Sequence, residues 1–278
     1  MNYRHRFHAG NLADVFKHAV YLRVLAHLNK KDAVYRVLDT HAGSGRYTLA
    51  DTATKPGEFR GGIARIYETP PAGEAGELLA DYLRIVRETN DGGELRHYPG
   101  SPAIAAAVAG RNKLVFCEAD EDAFSGLAKF ASRHRNAAAR HMDGYQALKA
   151  MLPFPERRGV VLIDPPFEHA NEFANIAAGI GEAMQRFATA TYLVWYPLKN
   201  RHDTAAAVRR IARAAEGREA LKLEIEIAPP RADGALTACG ILAINPPWTL
   251  ARECHVMLPA LRDAMAQDRA AARIEPMD

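Results

Sequence analysis

The sequence predicts an α/β protein, built on an open and mostly parallel sheet with a C-terminal antiparallel hairpin and a small helical insertion after the first strand. Three observations carry this. Short β-branched or aromatic runs alternate with longer stretches of helical period along most of the chain. One late run alternates strictly between apolar and polar residues. One interval between strands is also far longer than a crossover helix requires.

A helical pattern, ADVFKHAVYLRVLAHL (13–28), precedes the first strand, VYRVLD (34–39). KLVFCE (113–118), GVVLID (159–164) and TYLVWY (191–196) are strands of the same kind, apolar enough for burial on both faces. AARHMD (138–143) is a weaker candidate. Helical patterns at 121–134, 172–187 and 203–216 fill the gaps between them. LKLEIEI (221–227) places Leu221, Leu223, Ile225 and Ile227 on one face, which predicts a half-buried antiparallel strand paired with GILAIN (240–245). The long interval runs from Asp39 to Lys113 and holds the helical pattern GELLADYLRIVRET (76–89) between Gly- and Pro-rich stretches. Residues 51–100 are therefore expected to be an inserted helical subdomain, on a main domain formed by 1–50 and 101–278.

Composition narrows the function classes. No run is long and apolar enough for a transmembrane helix, and MNYRHRFHAGN lacks the apolar core of a signal peptide. Cys117, Cys239 and Cys254 are odd in number and lack Cys-x-x-Cys spacing, so neither a disulfide framework nor a metal site is expected. A reducing cytoplasm fits this usage, and a monomer is the expected state. The net charge of +3 does not by itself indicate a nucleic-acid binder. Basic clusters at YRHRFH (3–8), RHR (133–135), ERR (156–158) and RR (209–210) are either solvated surface or one face for a phosphate backbone.

Chemistry is expected at the carboxyl ends of the parallel strands, where open sheets bind ligands. The first strand ends in DTHAGSGRY (39–47), whose Gly43 and Gly45 permit a tight turn; the third glycine of a dinucleotide fingerprint is absent. Glu118 suits two ribose hydroxyls, or it simply opens the next helix. Asp143–Gly144 suits an adenine edge, or a helix N-cap. With Asp39 and Asp164, four acids close successive strands. In DPPF (164–167) the prolines fix the backbone and hold Asp164 at its strand tip. A carboxylate, a prolyl carbonyl and an aromatic face fit a flat base bearing an exocyclic amine. The two acceptors would take the amine hydrogens and turn the nitrogen lone pair toward an electrophile, while Phe167 stacks on the ring. NPPW (245–248) offers similar groups but follows the hairpin strand, away from the glycine turn, and is expected to cap the end of the sheet.

These residues resemble the S-adenosylmethionine-dependent amino-methyltransferases, with their Asp/Asn-Pro-Pro-aromatic motif. YRHRFHAGNLADVFKH, LDTHAGSGRY, GIARI, YPGSP, RRGVVLIDPPFE and GILAINPPW together resemble the ribosomal RNA large subunit methyltransferase J family over nearly the whole chain. The resemblance implies a Rossmann-like methyltransferase sheet and methyl transfer from S-adenosylmethionine to N6 of one adenine, nucleotide 2030, of 23S rRNA. It implies cofactor contacts from His18, His41, Ser101, Glu118, Asp143, Gly144 and Asp164. It makes Asp164 the catalytic residue, with the Pro165 backbone and Phe167 at the acceptor base, and gives Tyr3, His5 and Lys17 a part in engaging the substrate. The motif often ends in Tyr where this chain has Phe167, which keeps stacking and loses any hydroxyl contact; Arg6 is an additional basic residue. Other acceptors fit the motif alone, namely a DNA adenine or a protein glutamine. A DNA enzyme would usually carry a separate recognition domain, a nicotinamide oxidoreductase leaves DPPF unexplained, and a non-catalytic RNA-binding module leaves the acids unexplained.

Overall fold

The computed structural model describes residues 8–49, 57–231 and 235–277. Eight strands form one sheet: β1 (Arg36–Asp39), β4 (Lys113–Glu118), β5 (Ala137–His141), β6 (Gly159–Ile163), β7 (Thr191–Pro197), β8 (Ala220–Glu226), β9 (Ala238–Ile244) and β10 (Ala271–Met277). Their order is β10-β8-β9-β7-β6-β1-β4-β5. The five from β7 to β5 are parallel, whereas β9 is antiparallel to β7, and β8 and β10 complete an antiparallel end. A separate two-stranded ribbon pairs β2 (Arg46–Thr48) with β3 (His97–Pro99).

Alternate residues of each central strand enter opposite cores, as expected of strands covered on both faces. Val37, Phe116, Val160 and Leu162 point to the layer of α1 (Leu12–Asn29), α3 (Gly73–Thr89), α4 (Ser101–Val108) and α9 (Leu250–Met265). Leu38, Val115, Cys117, Val161 and Ile163 point to α6 (Gly144–Met151), α7 (Glu172–Phe187) and α8 (Arg201–Ala214). α2 (Ile63–Glu68) contributes Ile63 and Ile66 to the first layer, and α5 (Glu121–Ala131) contributes Leu127. Helix α1 is buried almost all round, since it packs against α3, α4, α9, β6 and β9. Its N-cap, Asn11, accepts from Ala13 N at 2.9 Å and Asp14 N at 3.2 Å.

The alternating run is the antiparallel strand β8, and Leu221, Leu223, Ile225 and Ile227 all enter the first core. Its other face is covered too: Glu224 is buried and accepts from the Tyr196 hydroxyl at 3.2 Å. The expectation that NPPW caps the outer end of the sheet requires correction, because β9 inserts beside β7 and the sheet continues through β8 to β10. Antiparallel direction is what separates the two motifs. Ile244 pairs with Tyr192 near the start of β7, so NPPW lies at the amino ends of the parallel strands, opposite DPPF. There Asn245 donates through Nδ2 to Ala188 O at 2.9 Å and Ala190 O at 2.8 Å. Its carbonyl accepts from Thr191 Oγ1 at 2.8 Å, and Trp248 is 83% exposed.

Candidate active site

The chain builds β1, β4 and β5 outward in one direction and returns to place β6 and β7 on the other side of β1. This reversal opens a crevice at the carboxyl ends of β1 and β6, the usual ligand site of such sheets. Asp164, Asp39, Glu118 and Asp143 follow β6, β1, β4 and β5 in that spatial order, so the four acids stand along one edge of the sheet.

After β1 the glycine turn adopts left-handed backbone, with φ of 60° at Gly43 and 80° at Gly45. Glu118 braces it: Oε2 accepts from Gly43 N at 2.8 Å, and Oε1 accepts from Asp120 N at 2.9 Å. Asp143 is the N-cap of α6, accepting from Tyr145 N at 3.0 Å and Gln146 N at 2.9 Å. Gly144 behind it allows close approach, because a Cβ there would lie 2.6 Å from both Thr40 O and His41 Cε1. His41 is fixed by a 2.8 Å bond between its Nδ1 and Thr40 Oγ1 and by the edge of the Tyr145 ring. Burial pushes its pKa down to about 4 against the pull of Asp164 and Asp143, so the imidazole is neutral near pH 7.

Asp39 is fully buried, and Ser101 donates to its Oδ2 at 2.6 Å. Burial raises its pKa to about 7, with Asp164 adding to the rise and Ser101 and Lys17 opposing it. His18 is buried, its Nδ1 sharing a 2.8 Å hydrogen bond with the Tyr98 hydroxyl, which in turn bonds the Tyr82 hydroxyl at 2.8 Å. Through Tyr98 on β3, α1 is tied to the PGSP segment that carries Ser101.

Asp164 sits at the tip of β6 with Pro165 buried behind it. Its Oδ2 pairs with the ammonium of Lys17, which also reaches Asp14 Oδ1 at 3.0 Å. Lys17 and Asp14 are each under 5% exposed. Burial would lower the Lys17 pKa, but the Asp164 and Asp14 carboxylates outweigh it and hold the ammonium charged well above its ordinary range. Phe167 has a left-handed φ of 51°, strained for an aromatic residue, and its ring meets the edges of Phe173 and Trp195 with centroids 5.0 Å and 5.7 Å away. It walls a groove of about 220 Å³ shared with Phe173, Pro197, Lys199 and Asn200.

Thus His18, His41, Ser101, Glu118, Asp143, Gly144, Lys17, Asp164, Pro165 and Phe167 are gathered along the carboxyl edge of β5, β4, β1 and β6 or on the segments packed against it. Tyr3 and His5 lie outside the described residues. The residue reading passed over Asp14. Its signal was present, since an acid in a helix with no polar face has to be buried with a partner. Asp39 was noticed only as one of the four acids. The three cysteines are buried; burial pushes the Cys117 thiol up to about 12 and raises Cys239 and Cys254 as well, which leaves them protonated and unreactive. Among the described residues no helix is long and apolar enough to cross a membrane.

Comparison with known proteins agrees with this arrangement. A family model described as "Ribosomal RNA large subunit methyltransferase D, RlmJ" matches residues 32–277. The Haemophilus influenzae protein named "Ribosomal RNA large subunit methyltransferase J" is 37% identical over 274 residues, covering 96% of this chain and 95% of that one. The Escherichia coli protein of the same name is 38% identical over 269 residues, covering 95% and 94%. A crystal structure of a Legionella pneumophila protein superposes with a TM-score of 0.87 at 32% identity, covering 96% of this chain and 98% of the other. With the family model reaching from before β1 through β10 and these relatives alike over nearly their full lengths, the chain belongs to the ribosomal RNA large subunit methyltransferase J family.

Proposed function

We propose that this methyltransferase modifies N6 of a single adenine in 23S rRNA, nucleotide 2030, with Asp164 as the catalytic residue. As a member of its family the chain is an S-adenosylmethionine-dependent rRNA methyltransferase. The observation that carries the finer reading is the placement of Asp164. It is rigidly held by two prolines at the tip of β6, beside the crevice between β6 and β1 and ahead of a strained aromatic residue.

The residues present suit the cofactor. A glycine turn braced by Glu118, a neutral His41 and a row of acids match a ligand that carries a ribose, an adenine and a positive charge. His18, His41, Ser101, Glu118, Asp143, Gly144 and Asp164 would hold it. When bound, S-adenosylmethionine supplies an electrophilic methyl group on a sulfonium.

The chain's own residues prepare the acceptor. Lys17 engages Oδ2 of Asp164, and no donor among the described residues reaches Oδ1, which is therefore the oxygen open to an incoming amine hydrogen. The Pro165 carbonyl is the second acceptor, since proline brings a carbonyl without a competing N–H. Two hydrogen bonds from N6 draw its lone pair out of conjugation, and the carboxylate stabilises the positive charge that develops on nitrogen. Phe167 and the groove beside it receive the flipped-out base, and Tyr3, His5 and Lys17 engage the RNA from the N-terminal side. Residues 51–100 serve as a helical subdomain inserted into the unit formed by 1–50 and 101–278, and the protein works as a monomer in the cytoplasm.

Purified protein with labelled S-adenosylmethionine and unmodified 23S rRNA tests this reading. Label at adenine N6, lost in Asp164→Ala with cofactor binding retained, is the expected result. Transfer that persists in the variant removes Asp164 from the chemistry.

A further inference from the structure

We propose that Asp14 is a positioning residue for methyl transfer: by sharing the Lys17 ammonium with Asp164, it keeps the Asp164 carboxylate available to the acceptor amine. This rests on Asp164 being the acceptor carboxylate.

The argument starts from the excess of charge. Lys17 and Asp164 alone would be a neutral buried pair. Asp14, one turn earlier on α1 and 2% exposed, adds a second carboxylate at 3.0 Å from the same ammonium, leaving a cluster with a surplus negative charge. A surplus buried charge is costly to keep, so its presence asks for a use. An ammonium held by one carboxylate draws that carboxylate's lone pairs toward itself. Held between two, it divides its donors and charge, and Asp164 retains density for an incoming N–H. Geometry favours this division, because Lys17 binds Oδ2 of Asp164 and Oδ1 of Asp14, approaching one oxygen of each.

Asp14 is also fixed from the other side. Its Oδ2 accepts from Gly10 N at 2.9 Å, in the left-handed turn that opens α1. Asn11, which caps that helix, donates from Nδ2 to Glu58 at 2.9 Å. The turn that leads into α1 is thereby coupled through Asp14 and Lys17 to the reacting carboxylate, across 147 positions of sequence between Lys17 and Asp164. Asp14 itself touches neither the glycine turn nor the strand-end acids that would hold the cofactor, so its influence reaches the reaction through Lys17 alone.

The test is a double-mutant cycle on the full-length protein with 23S rRNA as substrate. The variants are Asp14→Asn, Lys17→Gln and both together, with Asp14→Glu as the conservative variant and Asp164→Ala as the reference. The expected result is a kcat at least tenfold lower for Asp14→Asn, a Kd for S-adenosylmethionine within twofold of wild type, and partial recovery in Asp14→Glu. In the Lys17→Gln background, Asp14→Asn should cost less than a further twofold. Losses that multiply across the cycle, or an effect confined to cofactor Kd, would overturn the proposal. If Asp14→Asn does not fold alone, the comparison of Asp14→Glu with and without Lys17→Gln decides the same question. An inactive Asp164→Ala beside a fully active Asp14→Asn rejects the role of Asp14 alone, whereas an active Asp164→Ala rejects the reading on which it stands.

Discussion

Asp39→Asn should make the protein more stable, and the gain should depend on pH in a defined way. Asp39 is fully buried at the end of β1, and burial carries its carboxyl from an ordinary 3.8 to about 7. The folded state therefore binds its proton more tightly than the unfolded chain, and stability falls as pH rises from about 4 to about 7. At about 1.4 kcal/mol per pH unit, the charged carboxylate costs about 4 kcal/mol above that window. Asparagine has the same shape, can still accept from Ser101, and never ionises. Urea unfolding of the cofactor-free proteins should thus show nearly equal stability at pH 4 and an advantage of about 2–4 kcal/mol for the variant at pH 8. His41, with its pKa lowered to about 4, gives the opposite slope over part of the same range, but it is common to both proteins and cancels in the difference. An offset that does not change with pH, or one that shrinks as pH rises, would refute the assignment of a raised Asp39 pKa.

Other expectations follow from the same geometry. Gly144→Ala places a methyl 2.6 Å from the Thr40 carbonyl, which cannot yield as a flexible side chain would; it should cost about 1–3 kcal/mol in unfolding experiments and weaken S-adenosylmethionine binding at least fivefold by calorimetry. Unchanged binding would show that the α6 turn moves freely away from His41. Asn245→Ala strips partners from two backbone carbonyls and should cost about 1–3 kcal/mol while leaving the methyl-transfer rate per folded molecule intact. A lost rate with retained stability would give NPPW a part in the reaction. Phe167→Leu keeps an apolar wall but removes the ring, and should lower kcat/KM for RNA roughly tenfold or more, given about 1–3 kcal/mol for stacking one base. Cofactor Kd is the control; if it shifts instead, Phe167 belongs to the cofactor side of the site.

Much of the sheet could be read because the chain writes its strands plainly. β1, β4, β6 and β7 are covered on both faces, so they are short apolar runs that little else would explain. β10 is different: it is an edge strand, partly exposed, with Arg273, Glu275 and Pro276 along it, and such edges carry no apolar pattern. α9 holds Pro259 inside it, and β2 and β3 span three residues each, too few for periodicity. In the site, Asp164 and Glu118 were visible because a carboxylate directly after a buried strand has few structural uses. Lys17 and His18 came only from resemblance, since nothing in a local pattern says that a helix before β1 will lie against the tip of β6. NPPW was set aside correctly, but the physical reason, the reversed direction of β9, is a property of topology that no four-residue motif contains.

The placement of α1 has a consequence for the order in which the protein can come into being. The helix is among the first segments to leave the ribosome, yet its burial needs β6, β9 and α9, the last of which spans Leu250–Met265. Until then a nearly all-apolar cylinder bearing an unshielded lysine and aspartate has no place to dock, and the nascent chain holds a folding intermediate with its first element undocked. The acceptor carboxylate meets Lys17 only when the last helix closes over the first. A C-terminal truncation that stops short of α9 would accordingly disable a centre made wholly of residues before it, and competence to modify RNA arrives only with the nearly complete chain.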